Sequence, residues 1–245
     1  MMRRSCQSGL SMPEILVALF SSSLLMSTLI SQYVSVKQHY KRSETMLENA
    51  LDRQLVVDLI RSSIRQAGFA PCLGVEHLST MDMRPHSSGL KAIKLYSKEY
   101  PGFQVNHMSN QYGLLTAQIS LTSFSVTKDA VLSSHHPVMI ADCYHAEVHS
   151  IAHIRSAGEV MEVVLQRPLF YTYQSPIYIG EWIEEGFLIK NDMLFYRLNH
   201  MDALSSGVHG VSVSIQSRDD RRLVHVELAI EKNRKIEVDT LMRVA

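Results

Sequence analysis

Side chains that can bind a metal ion are concentrated in one short stretch of the chain, between positions 135 and 153. The set comprises His135, His136, Asp142, Cys143, His145, His149 and His153. On a helix, the histidines at 145, 149 and 153 would share one face, as zinc ligands can. The sequence over residues 138–154 favours strand and loop instead. We therefore expect exposed loop and strand-edge histidines that titrate in mild acid, and no metal site.

Other residue patterns give no better case for an enzyme. The sequence contains no Gly-rich phosphate loop, no nucleophile elbow and no C-x-x-C pair. Asp219 and Asp220 are adjacent carboxylates of the kind that bind calcium, but Arg218 and Arg221 flank them, which is typical of a solvated turn. Serines and histidines are plentiful, yet no spacing singles out a catalytic triad. We predict that the chain is not an enzyme and has no cofactor.

Composition predicts a folded protein. Of 245 residues, 46% are hydrophobic and 20% are charged, which is enough apolar material for a packed core. The formal net charge is zero, which argues against nucleic-acid binding by the whole domain. The cysteines are Cys6, Cys72 and Cys143. In an oxidising compartment the last two can pair and close a loop of about 72 residues, worth roughly 4–4.5 kcal/mol in the chain-entropy model.

The amino terminus combines a basic leader with an apolar run. Residues 1–9 carry two arginines and no acid, and residues 15–36 have no charged side chain. As a helix the run is about 33 Å long, which matches a bilayer core of about 30 Å. A secretory signal peptide is cut after its apolar run, whereas the plausible cut here, Gly9, precedes it. Glu14 is a carboxylate at the edge of this segment, where a charge is energetically unfavourable, so we expect it to have a function. The alternative is an ordinary signal anchor in which Glu14 has no particular role.

The helix is expected to continue beyond the membrane. No Pro or Gly occurs between Pro13 and Gly68, and Leu47, Leu51, Leu55 and Leu59 recur every four residues, followed by Ile60 and Ile64. We expect the stripe from Leu47 to Leu59 to lie on a soluble domain, and the helix to end at Gly68. A coiled-coil stalk is the alternative, but the stripe lasts only about three turns, which favours packing on a sheet.

The rest of the chain is predicted to be a single antiparallel β domain. Residues 73–115 are expected to form a long irregular connection with one short strand at 92–96. Alternating apolar residues then predict strands, with a tight turn at Asn191-Asp192 and charged turns between the last three strands. These strands cover residues 120–127, 138–140, 160–165, 177–190, 193–198, 208–217, 223–230 and 236–244. Trp182, with Tyr171, Tyr173 and Tyr178, is expected to contribute to the core.

The sequence Gly9-Leu10-Ser11-Met12-Pro13-Glu14, followed by an apolar helix, resembles the prepilin cleavage and methylation motif of type IV pilins and pseudopilins. Leu10 stands where that family usually has Phe, and Pro13 where it has an aliphatic residue. Fragments of the head are similar to PilW-type minor pilins. These fragments are residues 59–72 ending in Arg65-Gln66-Ala67-Gly68-Phe69, residues 138–143, residues 194–197 with 203–208, and the closing strand at 241–244.

The resemblance implies a pilin-like α+β fold, in which a long helix, transmembrane and then amphipathic, packs on an antiparallel sheet. It implies a leader at residues 1–9, an assembly segment at 10–36 and a periplasmic head at 37–245. Prepilin peptidase would cut after Gly9 and methylate Leu10. Glu14 would pair with the amino terminus of a neighbouring subunit and set the axial register. Cys72–Cys143 is the implied disulfide.

The function implied is that of a minor pilin in a priming or tip complex of a type IV pilus. Its expected partners are other minor pilins, the major pilin, the prepilin peptidase, the inner-membrane assembly machinery and, through residues 15–36, the lipid bilayer. It would cross the inner membrane once, with a cytoplasmic amino terminus. A minor pseudopilin of a type II secretion system is the nearest alternative. A membrane-anchored periplasmic enzyme or metal-binding protein that uses the histidines is the second.

Overall fold

The computed structural model describes residues 11–85, 89–97, 101–158, 160–218, 221–231 and 234–242. The chain divides into two compact units, one ending at Asp52 and the other beginning at Arg53. Helix α1, Met12–Gln66, contributes residues to both units. The strands all belong to the second unit, where most of them form one large sheet that is mainly antiparallel. The α+β class predicted from the sequence is confirmed.

The strands of the second unit follow a 3₁₀ turn at Val75–His77. Within the described residues, numbered in chain order, they are β1 Ser79–Asp82, β2 Ile93–Leu95, β3 Gly102–Met108, β4 Gly113–Gln118, β5 Ser123–Thr127, β6 Val138–Ala141, β7 His145–His149, β8 Ile151–Ala157, β9 Val160–Leu165, β10 Tyr178–Lys190, β11 Met193–Arg197, β12 Met201–Ser205, β13 Gly210–Arg218, β14 Arg221–Glu231 and β15 Arg234–Leu241.

Strand β10 organises the large sheet because it changes partners along its length. Its first residues pair with β6 on one edge and β4 on the other, and its later residues pair with β3 and β11. The main path of hydrogen-bonded strands through the sheet is β1-β7-β6-β10-β4-β5-β9-β8. Strands β3 and β11 branch from β10, and β2 and β12 pair with them in turn. The hairpin from β10 to β11 turns at Asn191 and Asp192, whose φ angles of 51° and 57° suit a two-residue turn. This turn confirms the sequence prediction.

Strands β13, β14 and β15 form a separate antiparallel meander. Val224, Val226 and Leu228 of β14 are fully buried, while His225 and Glu227 between them are partly exposed. This alternation places one face of the sheet on the core and leaves the other in water, as the sequence predicted. Asp219 and Asp220, the candidate calcium ligands, lie outside the described residues.

The carboxyl-terminal part of α1 packs on the sheets through one narrow face. Val56, Ile60 and Ile64 are fully buried and belong to the same core as Phe103 and Phe187. Burial of each aliphatic side chain contributes about 1.5–3 kcal/mol. The same face of α1 carries one buried hydroxyl, on Ser63, which donates a hydrogen bond to Glu185 of β10. The polar residue is therefore satisfied inside the core.

The predicted stripe is confirmed at its end and wrong at Leu55. Leu59 is partly buried against the core, and Ile60 and Ile64, which continue the stripe, are fully buried. Leu55 is 58% exposed, although it belongs to the same unit as the sheets. A four-residue repeat drifts around a helix of 3.6 residues per turn, so the stripe reaches the packing face only from Leu59 onward.

The region predicted as a long irregular connection with one short strand, residues 73–115, contains that strand as β2, but it also contains β1, β3 and the start of β4. Strand β3 was missed because its sequence contains Gln104, Asn106 and His107, which are all buried. The two amides are paired inside the protein: Gln104 Nε2 donates to Asn106 Oδ1 at 2.7 Å, and Asn106 Nδ2 donates to the Lys91 carbonyl at 2.7 Å. Tertiary hydrogen bonds thus allow a polar strand to be buried.

Candidate functional site

The first turn of α1 contains the predicted assembly residue, Glu14. Its Oε2 accepts hydrogen bonds from the Ser11 backbone N–H at 2.8 Å and from the Ser11 hydroxyl at 2.9 Å. The Glu14 N–H donates to the Ser11 carbonyl at 3.0 Å. Ser11 and Glu14 thus resemble a capping box, in which the third helical residue reaches back to the cap residue. The S-x-x-E spacing that signals a capping box is visible in the sequence.

The capping arrangement uses only part of the Glu14 carboxylate. Both Ser11 donors contact Oε2, and within the described residues Oε1 accepts no hydrogen bond. Pro13 is the second residue of α1, a position where a backbone N–H has no partner within the helix. The proline is therefore compatible with the first turn. Gly9 and Leu10, the predicted cleavage and methylation positions, lie outside the described residues.

The segment that follows Glu14 is long and apolar enough to cross a membrane. Helix α1 contains an 18-residue stretch with a mean hydropathy of 1.7, none of which is buried. By length and composition, the helix is therefore a candidate for a single membrane span. Its hydroxyl groups bond within the helix: Ser21 donates to the Val17 carbonyl and Thr28 to the Leu25 carbonyl, at 2.9 and 2.8 Å. These residues are therefore tolerable in an apolar environment.

Cys72 and Cys143 lie at disulfide distance, with sulfurs 1.93 Å apart and Cα atoms 5.1 Å apart. Cys72 follows the end of α1, which stops next to Gly68 as predicted. Gly68 has φ of +70°, and a Cβ there would lie 2.8 Å from Ala92 Cβ, so only glycine fits this position. Cys143 sits in the turn between β6 and β7. The cysteine pair connects the region behind the helix to the large sheet.

A buried carboxylate shapes the turn that presents Cys143. Asp142 Oδ1 accepts hydrogen bonds from the backbone N–H groups of Tyr144 at 2.8 Å and His145 at 2.6 Å, and Oδ2 accepts one from Gln174 at 2.8 Å. Burial alone would raise the pKa of Asp142, but these three N–H groups and nearby His145 lower it below the ordinary value. Asp142 is therefore a structural anion that fixes two loops, not a metal ligand.

The histidines between 135 and 153 do not converge. His136 faces Glu181 at 3.3 Å, His145 stacks on Tyr171 at 4.6 Å, and His153 is exposed on β8. His149 is buried beside Glu147. Across the described part of the chain, only His225, Glu227 and Glu237 have ligand atoms close enough together to hold a metal ion. The expected strand and loop placement of the histidines is confirmed, but His149 is buried, contrary to the expectation of exposed rings.

Glu147 is the polar residue of greatest structural importance that the sequence did not single out. Its side chain is 0% exposed, and its carboxylate accepts hydrogen bonds from His149 Nε2 at 2.7 Å, Phe170 N–H at 2.9 Å and Tyr171 N–H at 2.6 Å. Burial tends to raise the pKa of Glu147, but the bonds from His149, Phe170 and Tyr171 outweigh it and lower the pKa. One carboxylate thus holds the β9–β10 connection against β7.

Aromatic side chains in and near the β9–β10 connection are partly exposed. Phe170 and Tyr171 are in edge contact at 5.0 Å, and Phe170 and Tyr144 are largely exposed. Trp182, in contrast, is 3% exposed and belongs to a core with Met108 and Met139, as the sequence predicted. Tyr144 and Phe170 are therefore exposed aromatic groups in the loops near Cys143, and Trp182 is a core residue.

Comparison of the chain with protein-family models, with curated proteins and with solved structures finds no match in any of the three. The function must therefore be inferred from the chain's own features. These are the capped and apolar start of α1, the paired cysteines and the antiparallel second unit.

The cysteine pair is expected to stabilise the protein measurably. Replacing both residues, Cys72→Ser with Cys143→Ser, should lower the free energy of unfolding by about 2–4 kcal/mol, because the open chain gains the entropy of a loop with sequence separation 71. Denaturant unfolding of the full chain in detergent, followed by circular dichroism, measures the change. Mass spectrometry of the non-reduced protein should show a peptide linking Cys72 to Cys143. Two free thiols in protein isolated from an oxidising compartment would contradict the pairing.

Proposed function

We propose that this protein is a minor pilin that takes part in type IV pilus assembly after cleavage behind Gly9. The proposal places residues 15–36 in the inner membrane and the second unit in the periplasm, and gives the chain no catalytic role. It draws support from the order of its parts, because a basic leader, a capped apolar helix and a β-rich unit follow one another as in a pilin. The pilin-like fold itself is part of the proposal.

The main support for the proposal is the position and hydrogen bonding of the Glu14 carboxylate. The carboxylate stands in the first turn of an apolar helix, and one of its oxygens has no partner within the described residues. In a bundle of such helices a carboxylate needs a cation, because an unpaired charge in an apolar environment is strongly destabilising. The new amino terminus created at Leu10 would supply that cation from a neighbouring subunit.

The oxidised cysteine pair agrees with a periplasmic location for the second unit. Disulfides persist in oxidising compartments such as the periplasm and are rare in the cytosol. In the proposed orientation the leader is cytoplasmic, where prepilin peptidase cuts, and Cys72 and Cys143 are periplasmic. The partners proposed are other minor pilins and the major pilin.

Two substitutions separate the assembly role of Glu14 from its capping role. Glu14→Gln preserves the capping box, in which glutamine serves as well as glutamate, and removes the charge. Glu14→Ala removes both. If the charge pairs subunits, both variants should be processed normally and both should fail to assemble, since about 3–5 kcal/mol of pairing is lost at each contact.

Piliation by electron microscopy and recovery of the protein in sheared pili measure the result in a strain that lacks the wild-type protein. Normal assembly of Glu14→Gln with failure of Glu14→Ala would assign Glu14 to the helix cap alone and contradict the pairing. Loss of secretion with normal pili would instead identify the chain as a pseudopilin.

A further inference from the structure

We propose that the exposed face of the three-stranded meander binds one Zn²⁺ ion through His225 and Glu227 of β14 and Glu237 of β15. This site is separate from the histidines at 135–153, and it does not depend on the proposed role in pili. It assigns a metal-binding activity to a sheet whose other face is part of the core.

Register brings the donors together on one face. Glu227 pairs directly with Glu237 across the two strands, and His225 pairs with Asp239, two residues along each strand. Residues two apart on a strand share a face, so all four side chains point to the same side. The ligand atoms of His225, Glu227 and Glu237 lie within 4.8 Å of one another. Two glutamates directly opposite each other repel, and a cation between them relieves that repulsion.

The imidazole distinguishes this set from an ordinary acidic surface. His225 Nδ1 faces Asp239 Oδ1 at 2.7 Å, while Nε2 lies 3.8 Å from Glu227 Oε1. A carboxylate that accepts the Nδ1 proton of a histidine fixes the ring and leaves Nε2 as the donor to a metal, an arrangement common around zinc. Asp239 is therefore a positioning residue, and the three donors are Nε2 and one oxygen from each glutamate.

The donor types favour a transition-metal ion. Calcium and magnesium prefer all-oxygen sites, whereas one imidazole with two carboxylates suits Zn²⁺. Zinc binds at about 2.0–2.2 Å, which brings donors to roughly 3.3 Å from one another in a tetrahedron. Glu227, which is partly exposed, and Glu237, which is exposed, can make this small movement by side-chain rotation. Three protein ligands leave one position for water or for a group from another molecule.

One neighbouring cation competes for the site. Lys235 Nζ donates to Glu227 Oε2 at 2.9 Å, and Ser212 Oγ donates to the same oxygen at 3.3 Å. Zinc would have to take Glu227 from this ammonium group. Removing the lysine should therefore strengthen zinc binding, which a nonspecific association with surface histidines would not show.

Isothermal titration of the full chain in detergent with ZnCl₂ tests the site. We expect one ion per chain, loss of binding in His225→Ala and in Glu237→Gln, and tighter binding in Lys235→Ala. Asp239→Asn should weaken binding by about 10–100-fold, as removal of a positioning carboxylate does. The matched control is His153→Ala, which removes an exposed strand histidine outside the site and should leave binding unchanged.

Circular dichroism with and without EDTA establishes that each variant is folded, so a failure to bind cannot be confused with a failure to fold. Zinc should raise the midpoint of thermal unfolding of the wild type and of His153→Ala, but not of His225→Ala. The proposal is overturned if the wild type binds no zinc, or if folded His225→Ala binds it as well as the wild type does.

Discussion

The variant Gly9→Ala should accumulate as an uncut precursor that keeps residues 1–9. Cleavage behind Gly9 is a proposal from the motif, and its physical requirement is a residue without a side chain beside the bond that is cut. A methyl group there restricts the backbone and blocks close approach by the peptidase. Coexpression with prepilin peptidase, followed by intact-mass measurement of the membrane fraction, reports the fraction cut. The wild type should lose residues 1–9 and the variant should keep them.

Failure of cleavage should also abolish assembly, since the precursor has no amino group at Leu10 to pair with Glu14 of a neighbour. The matched control is Ser8→Ala, which places an alanine one residue earlier by removing the serine hydroxyl and should be cut normally. Mature protein from Gly9→Ala at the wild-type level would contradict the proposed cleavage site. A cut variant that still fails to assemble would show that processing and assembly depend on different residues.

The strands that the sequence predicted best are those with one solvent-exposed face and one buried face. In β14 apolar and polar residues alternate from Val224 to Leu228, so periodicity alone reveals which side is buried. The hairpin turn at Asn191 and Asp192 was equally readable, since these residue types tolerate positive φ. In each case the local signal and the tertiary environment agree, which is the condition under which sequence reasoning succeeds.

Prediction failed where tertiary contacts override the local pattern. Strand β3 buries Gln104, Asn106 and His107, and no sequence pattern announces that Lys91 will supply an acceptor from another segment. The helix gave a different error, because Leu55 belongs to a regular leucine repeat but does not lie on the packing face. Apolar periodicity identifies a face of the helix, but only the partner surface decides which turns of it are covered.

The first turn of α1 shows how one motif can have two physical meanings. The sequence reading gave Glu14 a partner on another subunit, and the structure gives it a local partner, Ser11. These roles are compatible, because the local bonds use one oxygen and leave the other accessible. A local cap would also hold the carboxylate in place before a subunit arrives, which lowers the entropy lost on pairing.

Replacing Glu147 with glutamine should lower the free energy of unfolding by about 3–5 kcal/mol, because several buried hydrogen-bond donors lose a charged acceptor. The amide cannot accept all the bonds that the carboxylate takes from His149, Phe170 and Tyr171. Denaturant unfolding at neutral pH measures the loss. Asp202→Asn, which changes an exposed carboxylate on β12, is the control and should stay within about 0.5 kcal/mol of the wild type.

The difference in the free energy of unfolding between wild type and Glu147→Gln should change with pH in one direction only. Because the pKa of Glu147 in the folded protein lies below its ordinary value of 4.5, the carboxylate stabilises the fold fully above that pH. Its contribution falls as pH drops through the folded pKa, so the two proteins should converge in acid. Asp142 and Glu185, whose pKa values are also lowered, titrate in both proteins and cancel in the difference. A difference that stays constant from pH 7 to strong acid would show that Glu147 acts through its shape and not through its charge.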